Sequence, residues 1–116
     1  MTPAVTTAHL DRTFAALADP TRREILRRLS SGDATLTELA DRFPVSIQAV
    51  AKHLKVLEGA GLITRGRMAQ LRPAHIEGAR LKEVADWIEG YRSFWEHGFE
   101  RMETRLATRP GKARRG

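Results

Sequence analysis

The side chains best suited to chemistry in this 116-residue sequence are the amide and basic groups between residues 46 and 72. This segment holds two Lys and three Arg against Glu58 alone, whereas residues 1–45 hold equal numbers of acidic and basic side chains. The formal charge of the whole chain is +6. Cations gathered in one segment create a stronger local field than the same charge spread over a surface. The cluster therefore predicts contact with a polyanion, and nucleic acid above all.

Two short helices joined by a tight connection are predicted around the start of this cluster. The first begins at a capping box formed by Thr35 and ends near Pro44. The second begins at the N-cap Ser46 and closes at the glycines that follow it. Apolar residues at spacings of four and three define the buried face of the second helix, which consists of Val50, Leu54 and Leu57.

The opposite face of this second helix carries Gln48, Lys52 and Lys55. A helix fits the ~12 Å major groove of DNA, where glutamine pairs with adenine and lysine meets guanine or phosphate. An ordinary amphipathic surface helix with solvated lysines has the same pattern. The helix alone therefore leaves both interpretations open.

A two-stranded hairpin with cationic arms is predicted over residues 62–73, where β-branched and apolar residues flank Gly66. Arg65, Arg67 and Arg72 would form a wing that touches phosphates or the minor groove. A basic helix beside a basic hairpin is less common than either alone, so the combination favours DNA binding. The predicted DNA-contacting residues are Ser46, Gln48, Ala49, Lys52, Lys55, Arg65, Arg67 and Arg72.

The fold class that follows is mainly α with a small β-hairpin, arranged as a winged helix-turn-helix. A first short helix ends before Pro20, because the residue before a proline disfavours the α conformation. Asp19 then caps a second helix that Gly32 stops. We expect one DNA-binding and dimerisation domain over residues 1–106, followed by a disordered basic tail over residues 107–116.

Apolar stripes on the first and last helices predict self-association. A single amphipathic helix of about seven turns is predicted from about Ala79 to about Leu106, and it is longer than the core of so small a domain. Its aromatic side chains would form a dimer core or, less commonly for such a pattern, a pocket for a small effector. The predicted dimerisation residues are Leu10, Phe14, Leu81, Val84, Ile88, Tyr91, Trp95 and Met102.

Composition and spacing argue against other classes of protein. The sequence has no cysteine, which removes disulfides and thiolate sites. No apolar run approaches the ~18 residues that cross a membrane, and no secretory signal is recognisable, so we expect a cytoplasmic protein. His9, His53 and His75 are scattered and no catalytic constellation can be nominated, so no enzymatic activity is expected. His53 is expected to pack with one ring nitrogen bonded to backbone.

The sequence also resembles a known family. Residues 14–26 (FAALADPTRREIL), Leu39-Ala40 and residues 45–63 (VSIQAVAKHLKVLEGAGLI) resemble the ArsR family of bacterial winged-helix repressors. The resemblance extends over about residues 10–106, and residues 81–95 resemble the metal-independent members. It implies a homodimer built on the first and last helices, which binds a palindromic operator. The sequence departs from the family at Ala51, where a serine is common, and at Leu71, where an aromatic residue is common.

Metal sensing, which the resemblance also raises, is not expected. Family members can carry a cysteine pair on the third helix, where this chain has Glu38 to Asp41 and no thiolate. Others carry a D-x-H and H-x-x-E pair on the last helix, of which only His97 and Glu100 are present. Half of a ligand set does not hold a metal ion, so no metal or other cofactor is predicted.

The function predicted from these observations is sequence-specific DNA binding by a dimeric repressor, which acts on a palindromic operator near its own gene. The expected partners are double-stranded DNA and a second copy of the chain, with a small-molecule effector left open and no membrane. The alternative is a protein-interaction module of the same fold, whose basic face binds an acidic protein.

Overall fold

Helices dominate the computed structural model, which describes residues 3–67 and 72–108. The elements within these residues are α1 (Pro3–Leu17), α2 (Pro20–Leu29), α3 (Leu36–Arg42), α4 (Ile47–Gly59), β1 (Ile63–Arg65), β2 (Ala74–Ile76), α5 (Gly78–Glu89) and α6 (Arg92–Thr108). They fall into two compact units that divide between Val84 and Ala85. The mainly helical fold with one small hairpin is the predicted one.

The predicted helix starts are confirmed at three N-caps. The carboxylate of Asp19 accepts from the backbone N–H of Arg22 at 3.0 Å, and this hydrogen bond lowers the pKa of Asp19. Thr35 and Glu38 form the reciprocal capping box, with distances of 3.2 Å and 2.8 Å. Ser46 Oγ accepts from the N–H of Ala49 at 3.1 Å. Each cap satisfies backbone donors that the first helical turn leaves free.

The core lies between α2, α3, α4 and the hairpin. The predicted stripe of α4 is fully buried, since Val50, Leu54 and Leu57 are each 0% exposed. They pack with Ile25 and Leu29 of α2 and with residues of α3 and β1. This packing fixes α4 along its whole inner face, so its outer face is held rigidly toward solvent.

The hairpin differs from its prediction in where the second strand lies. The predicted hairpin ends at Pro73, whereas β2 begins after that residue. β2 pairs antiparallel with β1, so that Ile63 lies opposite Ile76. The reason is a contact distant in sequence: Ala34, between α2 and α3, exchanges hydrogen bonds of 3.2 Å and 2.7 Å with Ala74. Residues 68–71, predicted to belong to the hairpin, lie outside the described residues.

The predicted single C-terminal helix is wrong, because it is broken at Gly90 and Tyr91 into α5 and α6. The N–H of Tyr91 bonds to the carbonyl of Ile88 at 2.9 Å, which is the tighter spacing of a helix end. Glycine favours such an end because it loses more conformational freedom in a helix than other residues do. The side chain of Arg92 then pairs with Glu89 across the break.

Both terminal predictions also change in extent. α1 begins at Pro3 and has 15 residues, so it is longer than the short helix predicted. α6 continues through Ala107 and Thr108, so the predicted tail cannot start at residue 107. Residues 109–116 lie outside the described residues. Within the described ranges, no helix combines the length and the hydropathy that crossing a membrane requires.

Candidate nucleic-acid interface

The outer face of α4 brings together four of the eight residues predicted to contact DNA. The side chains of Gln48, Lys52 and Lys55 are exposed, and with Ala49 and Ala51 they line one open depression on the helix surface. At 100° per residue, the two alanines lie on either side of the three longer polar side chains. The face thus combines two cations, an amide and small apolar groups, on a helix whose other side is fixed in the core.

Ser46 has a structural role at the start of this helix. Its hydroxyl is occupied as the N-cap acceptor for Ala49 N–H. The residue is nevertheless exposed. It therefore orients the first turn of α4, and contact with DNA remains a prediction for this side chain.

The arginines of the hairpin are not equivalent. Arg65 is half-buried, and its Nε donates to the carbonyl of Arg72 at 2.9 Å. Burial lowers the pKa of Arg65, with the charge of Arg72 adding to the effect. Arg72 has a φ of 33°, in the left-handed region that non-glycine residues rarely adopt. Arg65 therefore holds the hairpin closed, whereas the exposed Arg67 and Arg72 extend the basic surface.

A polar network that the sequence did not reveal joins α1, α2 and α4. The Nε and Nη2 atoms of Arg22 donate to the carbonyls of Ala16 and Ala15 at 2.7 Å and 3.2 Å. Its Nη1 lies 3.3 Å from Nδ1 of His53, whose Nε2 is 3.9 Å from Asp19. The expected bond from His53 to backbone is therefore wrong, since both ring nitrogens face side chains. The sequence signal for this network is Arg22, a basic residue in the first turn of α2, just after the junction with α1.

A second network links α5 to α1 and to the turn after α4. Arg80 pairs with Glu83 at 3.1 Å, and its Nη2 is 3.4 Å from Nε2 of His9. A Cβ at Gly61, where φ is +78°, would lie 3.2 Å from the Arg80 side chain, so glycine permits the contact. The Nδ1 of His9 and the Oγ1 of Thr13 are buried without a hydrogen-bond partner among the described residues. Arg80 thus positions α5 against α1 and the base of the hairpin.

His75 forms an exposed pair with Asp33 that should make stability depend on pH. Its Nδ1 is 2.8 Å from the Asp33 carboxylate, and this hydrogen bond raises the pKa of His75 above 6.5. The pair should therefore stabilise the fold fully below pH 6.5 and lose its effect as pH rises through the raised pKa. We expect the stability advantage of wild type over Asp33→Asn, measured by urea unfolding, to be larger at pH 5.5 than at pH 8.5. An NMR titration giving the same pKa for His75 in both proteins would contradict this.

The residues predicted for dimerisation divide into two groups. Leu10, Leu81 and Val84 are half-buried, and Leu81 packs against the core of its own chain. The others are large apolar side chains with 40–57% exposure, namely Phe14, Ile88, Tyr91, Trp95 and Met102. Leu81 therefore serves the core at least in part, whereas the exposed group presents apolar area to solvent.

The exposed apolar residues of α6 share one face by their spacing. Trp95, Phe99, Met102 and Leu106 recur at intervals of four and three residues. Trp95 and Phe99 meet edge to face with centroids 6.3 Å apart. On the same helix, the Nδ1 of His97 lies 3.4 Å from the Oγ of Ser93. No group of three or more potential metal ligands occurs among the described residues.

These elements define a winged helix-turn-helix DNA-binding protein. The inner face of α4 is buried and its outer face carries lysines and an amide. The capped helix α3 precedes it and the hairpin follows it. A profile of a helix-turn-helix domain family matches residues 17–66. The chain is 46% identical over 90 residues to the HTH-type transcriptional regulator Rv2034 of Mycobacterium tuberculosis, covering 70% of this chain and 83% of that protein. It is 32% identical over 79 residues to the transcriptional repressor SdpR of Bacillus subtilis, covering 68% and 88%.

Solved structures agree with this class. An ArsR-like transcriptional regulator from Rhodococcus sp. RHA1 has a TM-score of 0.69 at 36% identity, over 85% of this chain and 93% of that one. The homodimeric winged helix-turn-helix domain of a possible ArsR-family regulator from Mycobacterium bovis shares the fold at 23% identity, with a TM-score of 0.62 over 77% and 85% of the two chains. The chain belongs to the ArsR family of DNA-binding transcriptional regulators, as its sequence predicts.

Proposed function

We propose that this chain is a homodimeric repressor that binds a palindromic operator near its own gene, with α4 in the major groove. The observation that carries the proposal is the outer face of α4, where Gln48, Lys52 and Lys55 surround one depression and the inner face is fully buried. A helix held in this way presents its side chains to base edges in a fixed geometry.

The side chains on this face suit distinct contacts. Gln48 has the amide that bonds bidentately to adenine, and the lysines suit guanine or phosphate. Ala49 and Ala51 supply the apolar surface that a thymine methyl group contacts. Phosphate contacts by the lysines would position the helix, and Gln48 with the alanines would read the sequence.

Dimerisation is proposed because one helix reads only half of a palindrome. Two copies of α4 must lie one DNA turn apart, ~34–36 Å, to contact both halves. The exposed apolar residues of α6, where Trp95 and Phe99 meet edge to face, offer surface for such a dimer, since soluble monomers rarely leave aromatic side chains grouped in water. The repressor name of SdpR and the homodimeric domain from Mycobacterium bovis support the same assignment.

A gel-shift series with the full chain tests this function. DNA fragments upstream of its own gene should bind with at least ~10³-fold preference over random duplex of equal length. The affinity should fall steeply as salt rises, because lysines and arginines on phosphates release counterions. Binding without any preference for sequence would favour the alternative, a module whose basic face binds an acidic protein.

The hairpin is proposed as an anchor that does not read sequence. Arg67→Ala should weaken cognate and random duplex by similar factors and lower the salt slope by about one per lost contact. Arg65→Ala should do the same, with an added effect from opening the hairpin because its Nε holds the Arg72 carbonyl. The measurement is affinity for both duplexes at several salt concentrations. A loss confined to the cognate duplex would make the hairpin a reader of bases.

A further inference from the structure

A cleft of about 270 Å³ lies where α1, α2 and α4 meet, apart from the DNA-contacting depression. Its lining is small and apolar, with Ala15 and Ala16 on one side and Gly59 and Ala60 on the other. Val56 completes the wall with a side chain that is 41% exposed. The volume is near the lower end of ligand pockets, ~300 Å³, so the cleft suits a small organic molecule.

Two guanidinium groups give this apolar cleft a positive charge. Arg22 uses Nε, Nη2 and Nη1 toward α1 and His53. A guanidinium has five N–H donors, so two of those of Arg22 remain for a ligand. Arg12 lines the same cleft and has no ion-pair or hydrogen-bond partner within the part of the chain that the structure describes.

Negative charge is absent from the lining that the structure describes. The carboxylate of Asp19 is nearby, but it caps the N–H of Arg22 and faces His53. The carbonyls of Ala15 and Ala16 already accept from Arg22. An anion in the cleft would therefore meet two cations, and planar carboxylates match the geometry of guanidinium donors.

We propose that this cleft binds a small organic carboxylate with a compact apolar body. The carboxylate lies between Arg12 and Arg22, and the apolar body lies against the alanines, Gly59 and Val56. Uncharged ligands of the same shape bind less well because they bring no negative charge to the two guanidinium groups. Anions without an apolar body bind less well because they leave the small-residue walls in water.

The position of the cleft connects the ligand to DNA binding, a consequence that rests on the proposed function. Val56 and Gly59 belong to the last turn of α4, directly after the turns that carry Lys52 and Lys55. A ligand that binds there contacts the end of the helix proposed to enter the groove, so it changes affinity for DNA to the extent that it binds the free chain and the DNA-bound chain with different affinities.

On α1, the cleft and the proposed self-association residues use different faces of the helix. On α1, Arg12 and Ala15 lie roughly 100–160° around the helix from Leu10 and Phe14, at 100° per residue. The face proposed for self-association is therefore a different face of α1 from the one that lines the cleft.

Benzoate is a suitable probe, with benzamide as the uncharged analogue and acetate as the anion without a ring. In an NMR titration of the full chain without DNA, benzoate should shift the amides of Ala15, Gly59 and Ala60, and both analogues should bind at least tenfold more weakly. Gly59→Leu should reduce benzoate affinity at least tenfold by filling the cleft, and a Cβ at Gly59 meets no atom within 4 Å. Gly59→Ala gives a smaller reduction and serves if the leucine variant does not fold.

Arg12→Ala should also reduce benzoate affinity at least tenfold, whereas the control Arg27→Ala should leave it unchanged. Arg27 has the same charge and is exposed on α2, outside the cleft. Equal binding of benzamide, no shifts in the cleft, or equal losses in both arginine variants would overturn the proposal. Benzoate binding by a chain that binds no DNA would overturn the proposed function alone, and promoter binding without benzoate shifts would overturn only the cleft.

Discussion

Replacing Lys52 and Lys55 together with alanine should lower operator affinity roughly 10³-fold at 0.1 M salt. A dimer carries each lysine twice, so the variant removes four phosphate contacts, and each contributes ~0.9 to the salt slope. The slope should therefore fall by about 3.6. Both side chains are exposed on α4, so the loss does not come from unfolding. Fluorescence anisotropy on cognate duplex at four or more salt concentrations measures both quantities.

Two variants separate a groove contact from a general effect of charge. Arg27→Glu changes the chain's charge by the same two units on α2, opposite the side of that helix that packs in the core, and should change affinity little. Gln48→Ala should cost ~1–3 kcal/mol on the cognate duplex and nothing on random duplex, because a lost base contact affects only the correct sequence. Unchanged binding and unchanged base preference in all the α4 variants would remove this helix from the groove.

The variant Trp95→Ala should convert the dimer to monomer at micromolar concentration and abolish protection of a full palindrome. Trp95 is 41% exposed in the single chain and lies on the face of α6 that it shares with Phe99, Met102 and Leu106. Truncating a large aromatic that a partner buries costs ~3–5 kcal/mol, so the dimer Kd should rise more than ~100-fold. Sedimentation velocity and footprinting measure the two effects.

Phe94→Ala is the matched control for this interface. Phe94 is 74% exposed and lies off the stripe by about one residue step of ~100° around the helix. Its loss removes a ring of similar chemistry from α6 and should raise the dimer Kd much less than Trp95→Ala does. A Trp95→Ala protein that sediments as a dimer and protects a full palindrome would place the interface elsewhere, in the first instance on Leu10 and Phe14 of α1.

Features determined by neighbouring residues could be predicted from the sequence. The N-caps at Asp19, Thr35 and Ser46 depend on residues no more than three positions away, and all three are present. The buried stripe of α4 follows from the period of the α-helix and is fully buried. The outer face of that helix, with Gln48 and the lysines, follows from the same period.

Features determined by distant contacts could not be predicted in the same way. The start of β2 depends on Ala34, which is distant in the sequence. The partners of His53 are Asp19 and Arg22 at the start of α2, more than 30 positions earlier in the chain. The break at Gly90 is not predictable from the sequence for a different reason. Apolar residues keep the same helical spacing before and after Gly90, so periodicity alone predicts one continuous helix. Only the backbone preference of glycine argues against that prediction.

The bridge between Ala34 and Ala74 affects how the molecule unfolds. It joins the segment between α2 and α3 to β2 by two backbone hydrogen bonds, and the two residues are 1% and 0% exposed. Neither bond can open to water while the core around it stays closed, so the base of the hairpin and the helices should unfold in one cooperative step. The conformational entropy of that base is thus lost during folding. The base of the hairpin is therefore already ordered when the protein binds DNA, so ordering this segment does not reduce the binding affinity.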